Sequence, residues 1–433
     1  MSRSLINDIF QTSIAKNSAF FLKILVGVFI ARYYGPEGRG YLAAFLVIPE
    51  LMVIVGSLSI HEGILYRLAK KTLSSKTFVL IMFFVVSVQI PILLLIMYFL
   101  SGFVSNVDGM FDLFLFLFLI PVYVLQEIVR FSLRGVGKTK QYNVSVVLEI
   151  VVYSFVAACL IYFHADLKFV IASLILGSLL STIYCYMHVK SGVIKNNILN
   201  VSEIVNIYKY SLHVHIFRVL NALQAKLPIL FISFYMSLSE LGLFTVAATF
   251  GLVLQMCIQG PVSIVILPRL VEMGDFEAAE FTSKVTRLMF FVGLLFFLFM
   301  VVAGDFLLKV IFGESFSDAY MVMLVLLLGM IMKTPMATLN CYFKARGNPE
   351  VLGSVSLFVT PVLILSTIIL IPLFGILGAA ISIFISSIVF SVLMLRRYRL
   401  VSNKKLVDVI LVKMSDIRMI TNAVGNYFRC RKL

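Results

Sequence analysis

Lys16 and Lys23 stand seven residues apart inside the first long apolar run of this chain, and Arg218 and Lys226 lie inside another. At about 100° per residue, a separation of seven puts two side chains within roughly 20° of each other on one helix face. Lys16 and Lys23 therefore address a common space. On the later run Ser211, His215, Arg218 and Ala222 fall within roughly 80° of Lys226, and His213 points nearly opposite. Cations at lipid depth are costly unless they line a cavity or meet a partner. Two such stripes in a medium of low dielectric attract an anion strongly, and a diphosphate is the ligand they suit. Snorkelling toward the interface is the alternative for Lys16 and His215, which lie within about two turns of their spans' ends.

Lys333 sits mid-span before Thr334-Pro335, where a proline frees carbonyls and marks a hinge, and it joins the candidate cavity residues. Arg67 and Arg269 end two spans at corresponding positions. Either one alone is explained by interfacial anchoring, and the pair suggests an entry gate for the diphosphate. Glu50, adjacent to Pro49, is the deepest acid; it pairs with a cation of the first span or exchanges protons. Glu127, Arg130 and Arg134, spaced i, i+3, i+7, form a helix-surface ladder at one end of their span, and Glu149 could join it. Tyrosines near cavity mouths could stack on sugar rings, though the sequence singles none out.

The elements that must position these residues are membrane spans. Of the 433 residues 61% are hydrophobic and 13% charged, and the apolar residues come in long runs, with a mean hydropathy of +1.05. Windows of about 20 apolar residues give twelve spans, approximately 13–33, 41–66, 77–100, 111–134, 145–163, 169–188, 207–236, 241–267, 286–308, 320–343, 352–372 and 377–396. The first run is broken by Lys23 and opens a repeated hairpin, so it reads as a retained span and not as a signal peptide. An even number of spans puts both termini on one side. Most Lys and Arg residues fall on that side, while Arg32, Arg39, Lys168 and Lys309 fall on the other, which places both termini in the cytoplasm. Loop anchoring accounts for most of the +15 net charge and needs no nucleic acid. The five cysteines have no paired spacing and read as free thiols; no motif supports a metal or a catalytic centre.

The longest loop on the basic side divides the chain into an N-terminal six-helix bundle, 1–188, a cytoplasmic linker, 189–206, and a C-terminal six-helix bundle, 207–396. A basic tail, 397–433, follows. From Lys404 to Asn422 its polar positions Lys404, Asp408, Ser415, Arg418 and Asn422 alternate at helical spacing with Leu406, Val409, Ile410, Ile417 and Ile420. That is the pattern of a helix lying in the interface, with a disordered basic tail as the alternative. An offset of 202 residues lays Tyr33 on Tyr235, Gly40 on Gly242, Arg67 on Arg269 and Lys16 on Arg218, with Lys23 one position from Lys226. An offset of 210 lays Leu133-Arg134-Gly135-Val136-Gly137-Lys138 on Phe343-Lys344-Ala345-Arg346-Gly347-Asn348. Two bundles in the same orientation, related by an axis along the membrane normal, place a substrate site between the repeats.

Ala31-Arg32-Tyr33-Tyr34-Gly35-Pro36-Glu37-Gly38-Arg39-Gly40-Tyr41 resembles the hairpin motif of the polysaccharide transporters, the Wzx-like O-antigen and capsule repeat-unit flippases. So do Glu240-Leu241-Gly242-Leu243-Phe244, Phe343-Lys344-Ala345-Arg346-Gly347-Asn348 and Pro372-Leu373-Phe374-Gly375-Ile376-Leu377-Gly378-Ala379-Ala380. The resemblance covers residues 1 to about 397 and implies the all-α fold of the multidrug/oligosaccharidyl-lipid/polysaccharide exporter superfamily: twelve helices in two pseudo-symmetric bundles around a central cavity, here cationic. It implies a substrate as well, an undecaprenyl-diphosphate-linked oligosaccharide moved from the cytoplasmic to the periplasmic leaflet of a bacterial inner membrane by alternating access. Its other implications are a monomer, no cofactor beyond proton or sodium coupling, and a polymerase and other polysaccharide-assembly proteins as partners. One departure is Lys226, near a position where many members carry an acid. Cation-coupled drug antiport on the same fold is the competing transport function. A membrane-embedded polymerase or acyltransferase is the competing enzyme, against which stands the lack of a sizeable external loop.

Overall fold

The computed structural model describes residues 3–101, 110–189, 201–402, 404–411 and 413. The 189–206 linker and the tail pattern beyond Lys413 therefore lie largely outside the described residues, as does Cys430. Cys159, Cys185 and Cys341 are free thiols. The described chain is helical throughout and forms no strand, because an α-helix satisfies every backbone group internally where lipid offers no partner.

The first helix, α1 (Arg3–Gly56), would be about 80 Å long if straight, but it is bent at Gly35, whose φ of 70° lies in the left-handed region that glycine enters without steric cost. Pro36 then opens the second arm at the position where its missing N–H costs nothing. Residues 27 and 39 would be about 18 Å apart on a straight helix. Instead the Arg39 guanidinium lies 3.3 Å from where a Cβ on Gly27 would stand, so the two arms run side by side as a hairpin. A second long helix, designated below, repeats the device at Gly375, with φ 58°.

After α1 come α2 (Ile60–Ala69), α3 (Ser75–Phe84), a π-helical turn (Val85–Gln89) and α4 (Ile90–Ser101). The chain continues through α5 (Met110–Gly135), α6 (Thr139–Tyr162), α7 (Leu167–Val189), α8 (Val201–Tyr235), α9 (Leu238–Glu272) and α10 (Asp275–Phe312). It then passes through α11 (Ala319–Lys333), α12 (Met336–Ala345), the hairpin α13 (Glu350–Ser402) and α14 (Leu406–Ile410). Ten of the described helical stretches are long and apolar enough to cross a membrane. Since α1 and α13 are folded into hairpins, each crosses twice, giving the twelve crossings expected from the sequence.

Packing divides the chain into two compact units, 1–245 with 311–316, and 246–310 with 317–433. Packing groups α8 with α1 and α2, which is a different quantity from the repeat boundary, so the halves 1–188 and 207–396 stay an expectation about the repeat. In the first unit Phe45 stacks on Phe116 with centroids 4.4 Å apart, and Ile60, Ile64 and Leu119 are buried around them. Gly40 and Gly242, counterparts under the 202-residue offset, pack against each other where α1 crosses the start of α9. A Cβ on Gly40 would fall inside the Leu238 carbonyl, and one on Gly242 inside the Pro36 carbonyl.

In the second unit Tyr398 donates to the Ala279 carbonyl at 2.6 Å, tying α13 to α10. Arg346 donates to the Met273 carbonyl at 2.9 Å and pairs with Asp275 at 3.1 Å, which caps the turn between α9 and α10. The span expected at 320–343 is interrupted only at Thr334-Pro335, both of which keep right-handed helical backbone, in keeping with a proline kink. The opening of the tail docks on its own unit: Val409 is fully buried, the Asp408 carbonyl accepts from Arg287, and Lys404 covers Phe276 at 4.5 Å. Val409 thus faces protein, not lipid headgroups.

Candidate functional site

The span expected as one helix over 41–66 is interrupted. α1 ends at Gly56 and α2 begins at Ile60, and between them Leu58 (φ 47°) and Ser59 (φ 52°) both adopt the left-handed backbone. That conformation costs roughly 1–2 kcal/mol per residue outside glycine. Such strain persists where surrounding contacts over-determine it, and it concentrates at functional positions. The freed Gly56 carbonyl accepts from Gln89, so the break is satisfied from the π-helical turn.

The two serines on either side of Leu58 meet α8. Arg218 donates to Ser57 Oγ at 3.2 Å and contacts His61 Nε2 at 3.1 Å, while its other terminal nitrogen is ion-paired with Glu127 of α5. His61, 1% exposed, lies 3.5 Å from the second Glu127 oxygen. One turn earlier on α8, His215 Nδ1 is 3.1 Å from Ser59 Oγ. One carboxylate, one guanidinium, two histidines and two hydroxyls thus converge from α2, α5 and α8 on a single helix break.

Two further pairs lie in the same unit. Lys226 of α8 is ion-paired with Glu50, so Glu50 meets a cation of α8 and not one of the first span. Arg130 pairs with Glu149 of α6 at 2.7 Å and reaches Ser181 of α7 at 2.7 Å. The ladder expected along Glu127, Arg130 and Arg134 gives way to these pairs between helices. The reason is packing: α5 sits against α2, α6 and α7, Arg218 reaches it from α8, and a charge at membrane depth gains more from a fixed partner across the interface than from a neighbour on its own helix. Arg134 lies over the rings of Phe131 at 5.3 Å and Tyr142 at 5.6 Å.

The first arm of α1 is different. Lys16 has the Tyr142 ring at 5.8 Å. Lys23 forms no ion pair with a described residue, and both side chains are exposed on the protein surface. Among the candidate cations of α1 and α8, Lys16 and Lys23 thus have no carboxylate partner among the described residues, while Arg218 and Lys226 are held by carboxylates. Arg67 lines an open cleft at the end of α2 that carries the basic loops. Lys333 of the second unit stands at the α11–α12 kink with the Phe390 ring at 5.6 Å, and Arg269, also of that unit, is exposed near the end of α9.

His61, Ser57 and Ser59 were not singled out from the sequence. A histidine and two serines inside an apolar run are a weak signal, although Ser57-Leu58-Ser59 beside a buried histidine could have marked the break. Arg39, counted with an external loop, instead lies between the arms of α1.

A model of the family described as polysaccharide biosynthesis protein matches residues 18–321. The capsular polysaccharide biosynthesis protein CapF of Staphylococcus aureus is 23% identical over 275 residues, covering 62% of this chain and 68% of that relative. The lipid II flippase MurJ in an inward closed conformation superposes with a TM-score of 0.70 at 16% identity, over 89% of this chain and 87% of that one. An inward-facing multidrug resistance transporter of the MATE family, in the MOP superfamily, superposes with a TM-score of 0.70 at 16% identity, over 90% and 97%. At such identities the two structures establish a shared all-α membrane transporter fold.

Proposed function

Because the chain belongs to the polysaccharide biosynthesis protein family and has a membrane transporter fold, we propose that it is a flippase for a lipid-linked oligosaccharide. The substrate is an undecaprenyl-diphosphate-linked repeat unit of O-antigen or a similar surface polysaccharide, moved from the cytoplasmic to the periplasmic leaflet of the inner membrane. Both termini are cytoplasmic, and the chain acts as a monomer alongside the polymerase and other assembly proteins. The observation that carries the reading is the contrast on α1 and α8 between Lys16 and Lys23, which have no carboxylate partner among the described residues, and the carboxylate-held cations Arg218 and Lys226.

A diphosphate attracted to Lys23 and Lys16 competes with Glu127 and Glu50 for Arg218 and Lys226. Exchange of those partners gives the loaded and empty carriers different ion-pair sets, and a ligand shifts a conformational equilibrium only through such differential contacts. A carboxylate released by the exchange takes up a proton or a sodium ion, which is where coupling would enter, at Glu50 or Glu127. His215 belongs to the same binding set and Arg67 to the entry, while Lys333 and Arg269, of the second unit, are proposed to contact substrate on that unit by itself. No bond in the substrate breaks, so the reading assigns no catalytic residue. Cation-coupled drug antiport is the second reading, supported by the equally good superposition on the MATE transporter; the surplus of cations on α1 speaks against it.

Lipids extracted from cells lacking the protein should hold a complete diphosphate-linked repeat unit confined to the cytoplasmic leaflet, and surface polysaccharide should be missing. Intact surface polysaccharide with no accumulated lipid would exclude the flippase reading.

A further inference from the structure

The cleft that Arg67 lines has a volume of about 470 Å³ and is bounded by Gly63, Tyr66 and Arg67 of α2 and by Asn206, Lys209, Tyr210 and His213 of α8. These positions share one face of each helix, at spacings of three and four. Gly63 makes the cleft possible, because a Cβ there would press on Ile207 and Ser211. Above that close approach the helices splay. Tyr66 and Tyr210 stack across the gap with centroids 4.6 Å apart and planes 13° from parallel. The Lys70 ammonium covers a Tyr66 face at 4.6 Å, and since Tyr210 occupies one face, Lys70 holds the other. The order is cation, ring, ring, and then the free face of Tyr210, whose residue is 41% exposed.

Two cations, an amide, a histidine and an open aromatic face line the cleft, and among the described residues no carboxylate does. Stacked rings suit the apolar C–H face of a pyranose, whose slightly positive hydrogens meet the π-cloud. Arg67 and Lys209 suit phosphate oxygens, the guanidinium by a two-point fork and the ammonium as a point charge. The geometry points to a loading site for a glycosyl phosphate: the first sugar stacks on Tyr210 and its diphosphate is held by Arg67 and Lys209. This inference rests on the flippase reading and adds to it a separate docking station and a sugar contact. It is distinct from the Arg218 cluster, since on α8 Arg218 points about 120° away from Asn206. The same cations and ring could instead seat an anionic phospholipid headgroup, so the test separates the two.

Full-length protein in nanodiscs is titrated with three probes: the diphosphate-linked oligosaccharide from the deletion strain, undecaprenyl diphosphate without sugar, and phosphatidylglycerol. Tyr210→Ala and Tyr210→Leu should weaken the oligosaccharide lipid about five- to tenfold and leave sugar-free undecaprenyl diphosphate unchanged. Tyr210→Phe should bind as wild type does. Arg67→Gln and Lys209→Gln should weaken both diphosphates alike. Wild-type affinity for the oligosaccharide lipid in both Tyr210→Ala and Tyr210→Leu overturns the loading site and leaves the flippase reading standing. Equal loss of phosphatidylglycerol makes the cleft a phospholipid seat and also overturns it. A wild-type protein that binds neither diphosphate overturns both.

Discussion

Arg218→Ala should abolish surface polysaccharide and reduce folded protein, and adding Glu127→Gln should restore the fold without restoring export. The single change strands a carboxylate at membrane depth with His61 at 3.5 Å as its remaining partner. Removing one member of a buried pair costs about 3–5 kcal/mol, a large part of the 5–15 kcal/mol typical of a whole domain. Neutralising Glu127 removes that penalty, because an amide needs only hydrogen bonds, and His61 stands beside it. If Arg218 served the fold alone, the double variant would export as Glu127→Gln alone does. If it also receives the diphosphate, the double variant accumulates to the wild-type level in the membrane and exports nothing, below the export of Glu127→Gln alone. The two measurements are protein level and surface polysaccharide in the same cells. Export by the double variant equal to that of Glu127→Gln alone would remove Arg218 from the binding set and leave Lys23 and Lys226 to carry it.

The second large effect concerns Gly40. Gly40→Val should eliminate folded protein, whereas Gly274→Ala should be silent. A Cβ at 40 would fall inside the Leu238 carbonyl, and its next contact, the Gly242 amide nitrogen, would be 3.0 Å away. Both are backbone, so no side chain can swing aside and the helices must part. Overpacking costs typically 1–3 kcal/mol where side chains can yield, occasionally more, and about 3 kcal/mol or more is expected here. Nothing stands within 4 Å of a Cβ on Gly274. Monodisperse yield after detergent extraction and the unfolding midpoint of each variant decide the matter. A normally folded Gly40→Val protein would show that the α1–α9 crossing is not this tight.

Both predictions show where sequence and structure divide. The sequence determined the class of molecule and its number of crossings, because apolar run length against bilayer thickness is a local property that survives any packing. It determined the hairpin at Gly35-Pro36, since both residues act through their own backbone. Through the repeat it also matched Gly40 to Gly242 and drew attention to the cations of α1 and α8. It could not determine charge partners. Glu127 has Arg130 three residues along its own helix, and local spacing favours that neighbour, yet Arg218, 91 positions away in sequence, takes the carboxylate once α5 and α8 are packed. Glu50 with Lys226 and Arg130 with Glu149 are decided in the same way. The break at Ser57–Ser59 was hidden as well, since the lone Gly56 before it is tolerated within a helix and it is tertiary contacts to Arg218, His215 and Gln89 that hold the break open. Tyr66 and Tyr210 were two tyrosines among 18 until the close approach at Gly63 brought their helices together. Coulomb and stacking energies fall off over a few ångströms, so which residues share them is a property of the folded chain alone.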